Sequence, residues 1–137
     1  MSKITKGYKA MLEEAGSRVE HMSAGEVQAC LSDPNIVIVD LRDPRELERE
    51  GRIPGSFHCP RGMLEFWIDP ESPYFKPIFG EDKKFVFHCA SGWRSVLAAD
   101  TAQSMGLQPV ANLEGGFAAW KNAGAPVEAY PNKEKTS

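Results

Sequence analysis

The sequence predicts an α/β fold, a parallel sheet covered by helices on both faces. Two observations carry the prediction. Ile36-Val37-Ile38-Val39 and Phe85-Val86-Phe87 are continuous apolar runs, the pattern of strands buried on both sides. Strand-like and helix-like segments then alternate along the chain, which suits crossover connections between parallel strands. Composition agrees. The 137 residues are 42% hydrophobic and 26% charged, a globular composition long enough for one domain with one core.

Taken in order, residues 1–22 read as a helical extension, with Tyr8, Met11, Leu12 and Ala15 at helical spacing and Gly16 as its stop. Ser23-Ala24-Gly25-Glu26 is a capping box that opens a helix to about Leu31, and Asp33-Pro34-Asn35 is a turn. The Ile36 run is a strand ending at Asp40-Leu41-Arg42. Asp43-Pro44-Arg45-Glu46 starts the next helix, with Asp43 as N-cap, Pro44 in the first helical position and Gly51 as terminator. Phe57-His58 is a short strand. Pro60 to Gly80 holds Pro60, Pro70, Pro73 and Pro77 among Phe66, Trp67, Tyr74, Phe75 and Phe79, and reads as an irregular stretch, a packed surface excursion or an overhang from Met63 to Phe79 that screens acceptors. Lys84–His88 is a buried strand, Cys89–Gly92 a loop, and Trp93–Met105 a helix with Ala98, Ala102 and Met105 inward and Gly106 at its end. Leu107–Leu113 is the last strand. A turn at Glu114-Gly115-Gly116 leads to a helix from Phe117 to Lys121, closed by Gly124 and Pro126, and the tail from Pro131 to Ser137 is polar and expected to fray.

Charge and cysteine content narrow the function classes. Sixteen basic and nineteen acidic residues give a net charge of −3. No segment carries the basic excess that a phosphate backbone requires, so nucleic acid is not an expected partner. No apolar run reaches the roughly 20 residues of a membrane span, and no apolar segment follows the charged N-terminus as in a signal peptide. The three cysteines, Cys30, Cys59 and Cys89, are about thirty residues apart, without Cys-x-x-Cys or metal-spaced histidines. A reducing, cytoplasmic setting is expected, with no disulfide framework and no metal.

The chemistry concentrates in Phe85-Val86-Phe87-His88-Cys89-Ala90-Ser91-Gly92-Trp93-Arg94-Ser95. A strand delivers Cys89 to a tight loop that feeds directly into a helix. Free N–H groups at a helix start, and successive amides in a curled loop, both favour an anion. Gly92 permits backbone angles that other residues avoid, and Arg94 adds a permanent positive charge. That field favours a thiolate at Cys89 over a thiol.

Four blocks, in order and spacing, resemble the rhodanese-like domains, the sulfurtransferase family. They are Val39-Asp40-Leu41-Arg42, Gly51-Arg52-Ile53-Pro54-Gly55-Ser56, Cys89-Ala90-Ser91-Gly92-Trp93-Arg94-Ser95 and Leu113-Glu114-Gly115-Gly116-Phe117-Ala118-Ala119-Trp120. The resemblance spans about residues 23 to 128. Arg52 and Ser56 stand where the family motif has His and Ala, and both are expected to be structural changes on a turn. The resemblance implies a three-layer, rhodanese-like α/β domain with a central parallel sheet of about five strands. It divides the chain into an N-terminal extension (1–22), the domain (23–130) and a tail (131–137).

It also implies that Cys89 is catalytic. Residues Ala90, Ser91, Gly92, Trp93, Arg94 and Ser95 would form the anion-binding loop, and Asp40 and Arg42 would brace that loop through hydrogen bonds unless they are a plain strand-end ion pair. Cys89 thiolate would take the sulfane sulfur of a donor such as thiosulfate, becoming a persulfide, and a thiol, dithiol or cyanide acceptor would remove it. No cofactor is implied. Arg94 is a candidate for the sulfonate end of the donor.

Two other classes stay open. Cysteine-dependent phosphatases and arsenate reductases, the second class, carry Cys, five intervening residues and then Arg, often with His just before the Cys, and His88-Cys89 fits that opening. Here only four residues separate Cys89 from Arg94, a tighter cradle that suits one sulfur atom better than a tetrahedral phosphate. A non-catalytic binding module is the third class, disfavoured by the retained Cys89. His88 reads as a core histidine because neighbours on a strand face opposite ways. Trp93 is either a pocket wall or an anchor for the helix start. Cys30 is expected in the core, Cys59 is a thiol that would resolve a persulfide on Cys89 if it lay near enough, and Phe117 and Trp120 are expected as core packing.

Overall fold

In the computed structural model, which describes residues 3–131, five strands form one parallel sheet. They are β1 (Glu20–Met22), β2 (Ile36–Asp40), β3 (Phe57–His58), β4 (Lys84–His88) and β5 (Val110–Leu113), in the spatial order β1-β5-β4-β2-β3. The helices between them are α1 (Tyr8–Arg18), α2 (Ala24–Ala29), α3 (Pro44–Glu50), α4 (Leu64–Ile68), α5 (Trp93–Ser104) and α6 (Gly116–Asn122). Among the described residues no helix is long and apolar enough to cross a membrane. The expected tail, apart from Pro131, lies outside the described residues.

Alternation along the strands divides the core in two. Val37, Val39, Phe85, Phe87 and Val110 pack with Ala98, Ala99 and Ala102 of α5 and Leu64 and Ile68 of α4. Ile38, Val86, Ala111 and Leu113 pack on the other face with Val27 of α2 and Phe117 and Trp120 of α6. This is the two-residue period of a strand with both faces covered. Carried past the end of β4, the same parity turns Cys89 toward α5 and His88 toward α6. Asp40, level with His88 in the register, shares the His88 side.

Local signals hold at the helix starts. Ser23 and Asp43 each accept from the first-turn backbone while Glu26 and Glu46 reach back, two complete capping boxes. Elsewhere the structure corrects the sequence reading. Helix α1 runs through Gly16 to Arg18, held to α5 by a two-pronged Arg18–Asp100 pair at 2.8 and 2.7 Å and by Gln103 donating to the Arg18 carbonyl. The segment read as a helical extension then ends in a strand, β1, which pairs with β5 and becomes the edge of the sheet. Met105 is exposed and not on the inner face of α5. Cys30 caps α2 half-buried, where a core position was expected.

The stretch from Pro60 to Gly80 is more ordered than its prolines suggest. Two 3₁₀ turns, Arg61–Met63 and Pro77–Gly80, flank α4. Phe57 meets both Trp67 and Phe79 edge-on, and Phe79 stacks on Phe85 at 5.4 Å, so this excursion is packed onto the sheet while Phe66 and Tyr74 face solvent. Arg52 takes a structural place, pairing with Glu128 at 2.7 Å and bridging to it through the backbone. Ser56 is buried on the same turn.

Candidate active site

Cys89 stands one residue beyond β4, with 1% of its surface exposed. Its surroundings are polar. The Gly92 N–H donates to Sγ at 3.2 Å, and the thiol donates to Ser95 Oγ at 3.6 Å. Gly92 has φ +107°, a left-handed conformation costly for any residue with a β-carbon, and it brings its own amide back over the sulfur while opening α5. The broad cup of amides expected from Ala90 to Ser95 is narrower in the structure. Among the described residues, Gly92 is the backbone amide bonded to the sulfur, and the Ser95 hydroxyl is the second polar group.

The loop is fastened from behind by α6. Phe117 N–H donates to the Cys89 carbonyl at 2.7 Å and Ala118 N–H to the Ala90 carbonyl at 3.0 Å. The approach is so close that a β-carbon on Gly116 would lie 2.5 Å from the Cys89 oxygen and 2.8 Å from that of Ala90. Sequence reasoning assigned Gly115-Gly116 only to a turn. Its available signal was a glycine pair at a strand-to-helix junction, but nothing in the sequence says which backbone comes close.

Arg94 is held by a fork: Nη1 and Nη2 donate to Glu46 at 2.9 and 3.0 Å. The hydrogen bond from Arg94 holds the Glu46 carboxyl below its ordinary range, and the same bond raises the guanidinium. Glu46 also accepts from Asp43 N–H, so the α3 cap and the cysteine loop share one carboxylate. Glu46 was read only as a capping residue. Trp93 is 58% exposed and meets Tyr8 of α1 at 5.2 Å, so it is an outer wall leaning on the N-terminal helix. Ala90 is half-buried and Ser91 exposed.

Asp40 and Arg42 do not make the expected hydrogen bonds to the loop. They form a buried pair, with Arg42 Nε and Nη2 on the Asp40 carboxylate at 3.0 and 2.8 Å, and Nη2 also donates to the Gly51 carbonyl. Parity is the reason: both act on the α6 side of the sheet, where the Arg42 guanidinium sits 4.1 Å from the Phe117 ring. Burial opposes ionisation of Asp40, but the hydrogen bonds and charge of Arg42 outweigh it and keep the carboxyl below its usual range. His88 lies on this side too, stacked on Phe117, with Nε2 3.5 Å from Asp40. Burial lowers its pKa, so it is a neutral core histidine, as its position implied.

Ser95 also donates to Asn112 Oδ1 at 2.6 Å, and the Asn112 amide reaches His21 at 3.2 Å. Neither Asn112 nor His21 was legible as part of the site. Cys59 is fully buried among apolar side chains, and burial pushes its thiol up to about 12. It is not ionised at neutral pH and does not suit a second thiolate role.

Comparison with known proteins bears on the family. A model described as rhodanese-like domain matches residues 23–123. The mouse thiosulfate sulfurtransferase/rhodanese-like domain-containing protein 3 is 30% identical over 100 residues, 69% of this chain and 64% of that protein. The chain thus spans somewhat less than two thirds of that relative. The human thiosulfate:glutathione sulfurtransferase is 29% identical over 105 residues, 72% of this chain and 90% of that protein. A solved structure from Rhodopseudomonas palustris, described as a protein of unknown function and possible tyrosine phosphatase, is 62% identical with a TM-score of 0.90, covering 93% of this chain and 98% of that one.

Proposed function

From the premise that this chain belongs to the rhodanese-like domain family, we propose that it is a sulfurtransferase working through a persulfide on Cys89. The Cys89 thiolate attacks the outer sulfur of a thiosulfate-like donor. A new S–S bond forms on Cys89, the donor's own S–S bond breaks, and sulfite leaves with the electron pair. A thiol, dithiol or cyanide acceptor then attacks the outer sulfur of the persulfide, and Cys89 leaves as thiolate. Each half-reaction needs an anionic sulfur to be held at the same place, which the Gly92 N–H supplies, joined by the Ser95 hydroxyl when its proton turns to the sulfur in place of accepting from the thiol. Arg94 lies beside the loop as the group for the sulfonate, and Ala90, Ser91 and Trp93 line the approach.

The observation that carries this reading is the size of the cradle: a buried sulfur with one amide at 3.2 Å and one hydroxyl at 3.6 Å. The description of the Rhodopseudomonas palustris protein as a possible tyrosine phosphatase supplies the second reading. Against it, only four residues separate Cys89 from Arg94, one fewer than the phosphatase loop carries. A phosphoryl group needs several oxygens held at once, and a single-sulfur cradle does not provide that.

The test is a paired assay on wild type and Cys89→Ser, measuring thiosulfate-to-cyanide transfer and hydrolysis of an aryl phosphate. Sulfur transfer present in wild type and absent in the variant is expected. Phosphate hydrolysis lost in the variant, with no sulfur transfer in either protein, would reverse the ranking.

A further inference from the structure

A hydrogen-bonded chain leaves the Cys89 sulfur and reaches solvent at His21, just before the segment matched by the family model. Its links are the Cys89 thiol to Ser95 Oγ at 3.6 Å, Ser95 Oγ to Asn112 Oδ1 at 2.6 Å, Asn112 Nδ2 to His21 Nδ1 at 3.2 Å, and His21 Nε2 to the Gly16 carbonyl at 2.8 Å. The parallel pairing of β1 with β5 sets His21 opposite Asn112. Ser95 and Asn112 are buried, at 0% and 2% exposure, while His21 is exposed.

Donor counting fixes the protons. An amide nitrogen only donates, so Nδ1 is the bare nitrogen of a neutral imidazole, and Nε2–H donates to Gly16. Ser95 has a single proton, with the Gly92 carbonyl at 3.2 Å and Asn112 Oδ1 at 2.6 Å; the shorter contact takes it, so the hydroxyl oxygen accepts from the thiol. Read in this direction, the chain requires a thiol at one end and a neutral imidazole at the other. A half-turn of the Asn112 amide reverses it. Nδ1–H then donates to Oδ1, Nδ2–H to Ser95 Oγ, and Ser95 O–H to Sγ beside the Gly92 N–H. Every donor again meets an acceptor, now with an imidazolium at one end and a thiolate at the other. One proton has left the sulfur and one has arrived at Nδ1, so the total is unchanged. A thiolate with a neutral imidazole loses a bond in either tautomer: with Nε2–H, Oδ1 faces a bare Nδ1, and with Nδ1–H, the Gly16 carbonyl loses its donor.

We propose that His21 is a positioning residue for the nucleophile: its imidazolium and the Cys89 thiolate stabilise each other through Asn112 and Ser95. The charged groups around this chain are bonded elsewhere. Glu20 holds Lys84, Arg18 holds Asp100, Glu26 caps Ser23, and Arg94 holds Glu46, while Glu114 is exposed after β5. The outer face of the His21 ring meets solvent while its inner nitrogen faces the chain that leads to the sulfur. The arrangement acts on the thiol itself, whichever group the sulfur goes on to carry.

The test follows Cys89 alkylation by iodoacetamide against pH, read on the Cys89 peptide by mass spectrometry so that Cys30 and Cys59 do not contribute. His21→Gln keeps an amide for Asn112 but carries no charge. It is expected to slow alkylation by about fivefold or more below neutral pH, with the difference closing at alkaline pH, where the wild-type side chain is uncharged as well. A second arm uses nitrogen NMR of the His21 ring. Its Nδ1 signal should move in Cys89→Ala and should stop responding to Cys89 alkylation in Asn112→Ala. Superimposable alkylation profiles, or a ring signal indifferent to Cys89→Ala, would overturn the proposal. Both readouts report the thiol and not sulfur transfer, so a negative transfer assay leaves them standing.

Discussion

Replacing Gly116 by alanine tests whether α6 holds the cysteine loop in place. Gly116 has φ +62°, and its added β-carbon would lie 2.5 Å from the Cys89 oxygen and 2.8 Å from the Ala90 carbonyl carbon and oxygen. A left-handed residue with a β-carbon costs about 1–2 kcal/mol. Relieving backbone contacts this short adds about 1–3 kcal/mol. Parting α6 from the loop weakens the Phe117 and Ala118 hydrogen bonds, each worth about 1 kcal/mol. A loss of about 3 kcal/mol overall corresponds to a melting temperature lower by roughly 10 °C in a domain of this size. Gly55→Ala is the control: φ is +77°, but nothing lies within 4 Å of the added carbon, so only the conformational strain of about 1 kcal/mol applies. Thermal unfolding followed by circular dichroism measures both variants, and Cys89 alkylation measures the loop. If Gly116→Ala melts with Gly55→Ala and alkylates like wild type, α6 does not brace the site.

Other expected outcomes follow from the charges and the rim. Asp40→Asn leaves the buried Arg42 guanidinium without its carboxylate and should cost about 3–5 kcal/mol in chemical denaturation. The Asp40 carboxyl lies below its unfolded value, so its stabilisation is present above that unfolded pKa and is lost as pH falls through the lower folded one. His88 is held neutral by burial, so the unfolded state binds the extra proton. Stability should therefore decline as pH falls below about 6.5, and His88→Gln should flatten that slope in denaturation curves. Arg94→Lys loses the fork on Glu46 and should raise KM for thiosulfate several-fold while changing stability by less than about 1 kcal/mol. Tyr8→Ala withdraws the ring that supports Trp93, and should raise KM for an aromatic thiosulfonate while leaving that for thiosulfate within about twofold in steady-state assays.

Much of this architecture is written locally. The Ile36 and Phe85 runs announce buried parallel strands because both of their faces are covered, and Ser23 and Asp43 announce helix starts because capping needs only neighbours in the chain. The cysteine loop is legible for the same reason: Cys89, Gly92 and Arg94 sit within six residues. What depends on distant partners is not legible. Glu20-His21-Met22 is a short polar edge strand, defined by β5 and not by its own pattern. Asn112 and His21 join the site only through pairing across the sheet, and the closeness of Gly116 to Cys89 appears only when α6 has docked. Of the two places open to Asp40 and Arg42, bracing the loop or pairing at the strand end, the structure has the pair, because strand parity places Asp40 on the face opposite Cys89. Gly16 did not end α1 because Ala15 and Val19 are buried against the rest of the domain, and burial outweighs one glycine.

The central claim is that Cys89 carries the transferred sulfur. Intact-protein and peptide mass spectrometry after incubation with thiosulfate tests it directly. One added sulfur atom on the Cys89 peptide, removed by cyanide with release of thiocyanate and absent in Cys89→Ser, is the result expected. A Cys89 peptide of unchanged mass in a folded protein whose thiol is freely alkylated would contradict the account.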